Sequence, residues 1–125
     1  GCKQCAFEQT ESKGEAQCRD IFQRLTGKTF VSIRPDFMKN EETGYNLELD
    51  GYCEELKLAF EYDGEMHFKA KKYFGGKEGL KRRQHLDSLK DSLCVNSGVK
   101  LIRIPYFTEN IEEFIKLSID EFLNL

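Results

Sequence analysis

What the sequence lacks narrows it first. No apolar run approaches the roughly 18 residues of a membrane-spanning helix, and the N-terminal stretch has no hydrophobic region of the kind a secretory signal carries. The expectation is therefore an intracellular chain, cytoplasmic or nuclear, neither secreted nor membrane-bound. Proline occurs only twice in 125 residues, so no proline-rich extended segment is present. Cysteine is not absent, but its five copies are an odd number and do not read as a disulfide framework. Cys18, Cys53 and Cys94 lie among apolar or strand-like neighbours, as reduced thiols do. Cys2 and Cys5 form a Cys-x2-Cys pair, half of the four ligands a structural zinc ion takes. Two readings of residues 1–11 stay open: the tail is half of a zinc ribbon whose other ligands lie outside this chain, or the pair binds nothing. The first reading implies a domain cut from a longer protein with further domains beside it.

Charge is balanced overall and uneven locally. The formal net charge of −3 argues against a protein that coats nucleic acid nonspecifically, because phosphate binding draws on Lys and Arg. Yet Lys69, Lys71, Lys72, Lys77, Lys81, Arg82 and Arg83 crowd into one stretch against a single Glu78, while acidic residues gather in 41–65 and near the C-terminus. Carboxylates that hold a cation beside cations that hold a phosphate backbone make a pattern suited to phosphodiester chemistry.

At this length the chain is one domain, and its pattern gives an element order. Ser12-Lys-Gly-Glu15 is a capping box, and Cys18, Ile21, Phe22 and Leu25 follow at helical spacing until Gly27. Thr29–Ile33 is rich in β-formers. Residues 46–52 alternate, residues 56–62 are a more apolar strand, and the short connection between them predicts an antiparallel hairpin. Residues 63–78 read as a loop. A long helix is expected from about Gly79 to Asn96 with Leu86, Leu89 and Leu93 as its apolar seam. Val99–Pro105 is a buried strand, and Ile111, Phe114, Ile115, Ile119 and Phe122 mark a last amphipathic helix. Because the last strand returns after a helical crossover, the expected fold is α/β, a mixed four-stranded sheet flanked by helices.

Three acids stand out. Asp50 ends one strand, and Glu61 and Asp63 are two apart on the next, so they share a face that the hairpin brings beside Asp50. Grouped carboxylates repel unless something cationic sits among them, and Mg2+ or Mn2+ is the natural partner for oxygen ligands. The plain alternative makes Asp50-Gly and Asp63-Gly ordinary turns and Glu61 a solvated strand residue. Glu61 resists that reading, because it follows Leu-Ala-Phe in an apolar strand.

Together, Leu-Glu-Leu-Asp50-Gly-Tyr, then Leu-Lys-Leu-Ala-Phe-Glu61-Tyr-Asp63-Gly-Glu-Met-His67-Phe, then Asp87-x-x-Lys90-Asp, then Gly98-Val-Lys-Leu-Ile-Arg-Ile-Pro105-Tyr resemble the PD-(D/E)XK nuclease superfamily. The likeness is nearest to its very-short-patch repair and phage homing endonuclease branches, and it covers roughly residues 12 to 107. It implies a restriction-endonuclease-like αβββαβ core with an added C-terminal helix over residues 12–125, acting as a Mg2+- or Mn2+-dependent endonuclease on DNA. Asp50 and Glu61 become metal ligands, and Glu15 becomes a third from the first helix, although the capping box already accounts for Glu15. Asp63 stands where the commoner pattern has lysine, so the catalytic cation must come from elsewhere. His67 is the first candidate, and Lys90 or Lys69 could reach in instead. Asp87 and Lys90 are also spaced as a simple i, i+3 salt bridge, and His85 reads as helix surface. Lys69, Lys71, Lys72, Lys81, Arg82 and Arg83, interleaved with Phe68, Tyr73 and Phe74, are expected to grip a DNA backbone; otherwise they are a solvated face. The competing functions are a nucleic-acid-binding module that kept the fold without catalysis, and an accessory domain whose acids bind nothing.

Overall fold

The computed structural model describes residues 12–124. Ser12 Oγ accepts from the Glu15 amide and caps helix α1, Lys13–Thr26, which ends at Gly27 in the left-handed conformation. Strand β1 is Val31–Ile33, β2 is Leu49–Cys53 and β3 is Leu58–Asp63. Helix α2, Gly76–Asn96, leads to β4, Lys100–Pro105, and helix α3, Ile111–Leu123, follows. The sheet order is β1-β2-β3-β4, antiparallel except for the parallel β3–β4 pair. The protein is α/β, with a mixed four-stranded sheet and three α-helices among the described residues. None of these helices is long and apolar enough to cross a membrane.

Strand alternation divides the core. Leu58 and Phe60 of β3 join Ile102 and Ile104 of β4 under α1 and α3, against Cys18, Ile21, Phe22, Ile115 and Ile119. The rings of Phe22 and Phe60 stack 4.8 Å apart. Ala59 turns to the opposite face with Met38, Leu49, Tyr52, Cys94 and Val99, where α2 lies. Glu61 and Asp63 share that second face by strand period, and both are buried.

The pattern misplaces several boundaries. The strands begin later than expected: β2 starts at Leu49, with Asn46 making only an isolated bridge to Lys39, and β3 starts at Leu58. Asp50 therefore lies near the start of its strand and not at its end. The 63–78 stretch holds two short turns, Glu65–His67 and Lys72–Phe74, and α2 begins at Gly76. The leucine seam of α2 is corrected in part: Leu93 packs against the core and Leu89 is half-buried, but Leu86 is exposed, and the fully buried positions are Gly79 and Cys94. Cys18, Cys53 and Cys94 are free and buried, as expected. Burial, aided by the charges of Asp50 and Glu15, pushes the Cys18 thiol up to about 12, and burial pushes Cys94 to about 11. Cys2 and Cys5 lie outside the described residues.

Candidate functional site: a carboxylate–lysine cavity at the end of the hairpin

The β2–β3 ladder stops at the Gly51–Phe60 pair. One position further, side chains take over from backbone. The Asp50 amide donates to Glu61 Oε2 at 2.7 Å, and the Tyr62 amide donates to Asp50 Oδ2 at 2.9 Å. This exchange fixes both carboxylates where the strands part. The cavity that opens there, about 310 Å³, is lined by Ser12, Glu15, Asp50, Glu61, Tyr62, Gly64, Met66, His67 and Lys90.

Lys90 reaches in from α2, with Nζ 2.6 Å from Glu61 Oε1. Glu15 arrives from α1, where Arg19 Nη2 contacts its Oε2 at 3.0 Å and the Asp50 carbonyl at 2.8 Å. Arg19 Nη1 also donates to the Phe30 carbonyl at 2.6 Å, so one guanidinium ties α1 to β2. The cavity holds more negative than positive charge. Burial, then the charges of Glu61 and Glu15, push the Asp50 acid up to about 8, against the opposing Tyr62 amide and Lys90.

Asp63 does not join this set, which corrects the expectation of one Asp50–Glu61–Asp63 cluster. It belongs to a neighbouring network on the same face of the sheet. Arg103 Nη1 donates to Asp63 Oδ1 at 3.0 Å, its Nε to Asp91 at 2.9 Å and its Nη2 to the Asp87 carbonyl at 3.0 Å. His67 Nδ1 meets Asp87 Oδ2 at 2.8 Å and lies 3.8 Å from Asp63. Thus Asp87 and Lys90 do not pair with each other as their spacing suggested: Asp87 holds His67 and Lys90 holds Glu61. The hydrogen bond to Asp87 raises the His67 pKa, against the effect of burial. Burial works to raise Asp87, but the His67 bond and nearby positive charges outweigh it and hold the acid low. Asp63 is raised by burial, in part offset by Arg103 and His67. Ligand atoms of Asp63, His67 and Asp87 lie within 4.8 Å of one another, a spacing that a metal ion can use. Arg103 already supplies positive charge at that point.

Arg103 is the residue that sequence reasoning missed, and Asp87, read as a partner of Lys90, holds His67 instead. A lone arginine inside the apolar run Val-Lys-Leu-Ile-Arg-Ile was the available signal, since a buried cation needs a partner.

The basic stretch divides in two. Lys72, Lys77, Lys81 and Arg82 are exposed, and Lys69 and Lys71 pair with Glu65 at 3.7 Å and 2.5 Å. Arg83 differs: its Nε and Nη1 donate to the Met66 and Phe74 carbonyls at 2.8 Å and 2.9 Å, so it fastens the loop and does not face outward. His85 is on the surface as expected, against Glu42. Beside His67, three rings gather: Phe68 lies 5.8 Å from Tyr106 and 5.3 Å from Phe107. Phe68 is 41% and Phe107 62% exposed, and the Lys69 ammonium sits over the Tyr106 ring at 6.0 Å.

Fold and site together define an α/β protein with helices on both faces of a mixed sheet and a carboxylate–lysine cavity at the end of its central hairpin. The chain belongs to the family of protein 094L of Frog virus 3 (isolate Goorha), an uncharacterized protein to which it is 42% identical over 109 residues, covering 86% of this chain and 70% of that one. It is similar also to uncharacterized protein 033L of Invertebrate iridescent virus 3, at 37% identity over 98 residues, and to 307L of Invertebrate iridescent virus 6, at 34% over 124. It spans 50% and 63% of the lengths of those two relatives. No family model matches the chain, and no solved structure matches it.

Proposed function

We propose that this chain is a metal-dependent endonuclease domain of the PD-(D/E)XK kind that hydrolyses phosphodiester bonds of DNA. The observation that carries the reading is Lys90, whose Nζ meets Glu61 in the same cavity as Asp50 and Glu15. The strand position of the usual lysine holds Asp63, whose partner is Arg103. A lysine from α2 supplies a cation at the carboxylate two residues earlier.

Glu15, Asp50 and Glu61 line one cavity with the oxygen donors a hard divalent cation takes, next to the Asp63–His67–Asp87 group whose ligand atoms lie within 4.8 Å of one another. The three cavity carboxylates come from three elements, and Asp50 retains a proton to about pH 8 when nothing but Lys90 and a backbone amide opposes its neighbours. Asp50, Glu61 and Glu15 would hold Mg2+ or Mn2+. When bound, such an ion supplies charge neutralisation to the phosphate and acidifies a water molecule. Lys90 then holds Glu61 in place and offers positive charge to the phosphate oxygens. His67, with Nδ1 committed to Asp87, exchanges protons through Nε2. Its raised pKa keeps it protonated closer to neutral pH, which suits donation to the departing oxygen.

The surface beside the cavity supports a nucleic-acid partner. Exposed lysines suit the backbone, and the Phe68–Tyr106–Phe107 rings offer a face on which a base could stack, at about 1–3 kcal/mol per base.

The test is incubation with plasmid and with single-stranded DNA and RNA, in Mg2+, in Mn2+ and in EDTA. Cleavage of DNA in either ion, abolished by EDTA, by Asp50→Ala and by Lys90→Met, is the expected result. Cleavage that persists in EDTA or in both variants refutes the reading. Gel-shift binding without cleavage assigns the chain to the non-catalytic module instead.

A further inference from the structure

Helix α1 approaches the sheet unusually closely at one residue. A Cβ built on Gly14 would lie 2.2 Å from Cζ of Tyr62, 2.4 Å from Cε2 and 2.6 Å from Cε1, inside the space the ring occupies. Gly14 sits in the first turn of the helix, where glycine costs up to about 1 kcal/mol relative to alanine. Its backbone does not explain the glycine, since the residue is helical; the ring beneath it does.

What the contact sets is the position of Glu15, the next residue. The Glu15 carboxylate enters the cavity from the helix, whereas Asp50 and Glu61 enter from the sheet. Tyr62 touches both parts. Its amide holds the Asp50 carboxylate, and its ring supports the turn that carries Glu15. Arg19 fastens the same helix one turn later, to Glu15 and to the Asp50 carbonyl. We infer that the Gly14–Tyr62 contact sets the separation between Glu15 and the Asp50–Glu61 pair, which makes Gly14 a positioning residue for cation binding. An added methyl group lifts the turn off the ring or drives the ring aside, and either movement withdraws Glu15. The inference rests on the metal-binding reading above and adds a requirement that reading does not contain.

Calorimetric titration with Mn2+, in the absence of nucleic acid, tests it on the wild type, Gly14→Ala, Glu15→Gln, the double variant Gly14→Ala/Glu15→Gln, and Gly14→Ala/Tyr62→Leu. The expected result is that Gly14→Ala weakens Mn2+ binding as far as Glu15→Gln does, on the order of tenfold. It adds nothing further in the Glu15→Gln background, because the two act through one carboxylate. Tyr62→Leu, which removes the ring atoms that a Cβ would strike, restores most of the loss. If Gly14→Ala does not fold, Tyr62→Leu with and without Glu15→Gln reads the same coupling: a loss present only while Glu15 is intact supports the inference. A folded Gly14→Ala protein that binds Mn2+ as tightly as the wild type overturns it, as does a loss that simply adds to that of Glu15→Gln. A wild type that binds no Mn2+ overturns the metal reading itself, a different failure from either of these.

Discussion

Removing the proton that Asp50 holds destabilises the cation-free protein, and the size and sign follow from the cavity. The folded acid titrates at about 8, raised by burial and by Glu61 and Glu15, whereas an unfolded aspartate titrates near about 3.9. Between those values the native state binds a proton that the unfolded chain has released, so stability falls as pH rises through the window and levels off above its top. One proton gives a slope of at most about 1.4 kcal/mol per pH unit. Across the part of that window between about pH 5.5 and about pH 8, the summed loss is about 3 kcal/mol. His67, also raised, works in the same direction from about pH 6.5 upward. Asp50→Asn separates the two, because the amide cannot titrate. Urea unfolding in EDTA, from about pH 5.5 to about pH 8.5, is the assay. The wild-type midpoint should drop across the series, and the Asp50→Asn midpoint should drop less and exceed the wild type at the alkaline end. Mn2+ added at the alkaline end should restore the wild type, since a cation replaces the proton. A wild type equally stable or more stable at high pH, or an asparagine variant with an undiminished slope, refutes the reasoning.

Arg103→Met should destabilise by about 3–5 kcal/mol, because it strands the buried Asp63 carboxylate; Asp63→Asn in the same chain should recover much of the loss in urea titrations. Asp87→Asn removes the main support for the raised His67 pKa, so a proton-NMR titration should find His67 releasing its proton at lower pH. The alkaline limb of the cleavage profile should move the same way, and an unmoved limb would remove His67 from the proton transfer. Phe107→Ala should weaken binding of single-stranded DNA by about 1–3 kcal/mol while Tm stays unchanged, since the ring is 62% exposed. A loss of Tm without a loss of affinity would make the ring a structural prop.

The helix at Ser12–Gly27 and the hairpin were legible because their signals are local: a cap, a glycine and a period. Asp50 and Glu61 were legible for the same reason, since a short hairpin brings residues close in sequence into register. Lys90 was legible as one of several cations that could reach the site, but its partner Glu61 and the partner of Asp87 were not. The spacing of Asp87 and Lys90 placed them on one face of α2 but carried nothing about what that face would meet. The sheet face under α2 carries Glu61, Asp63 and Arg103, so the helix turns complementary charges inward and leaves Leu86 exposed. The same long-range partnership hid the division of Asp63 from Asp50, because Arg103 lies 40 residues beyond Asp63. The grip of Arg83 on the loop carbonyls was likewise invisible in a run of like charges.

The alternation along β3 has a consequence for how the chain reaches its fold at all. Phe60 packs beneath Phe22, while Glu61 and Asp63 face α2. A slip of one residue in the hairpin would press both carboxylates into the aromatic layer under α1 and leave Phe60 among Lys90 and Arg103. Strands that are apolar on both faces tolerate such slips; this one does not. The charges on the α2 face of β3 therefore also proofread the pairing, and variants that neutralise Glu61 and Asp63 together should admit misregistered hairpins during refolding.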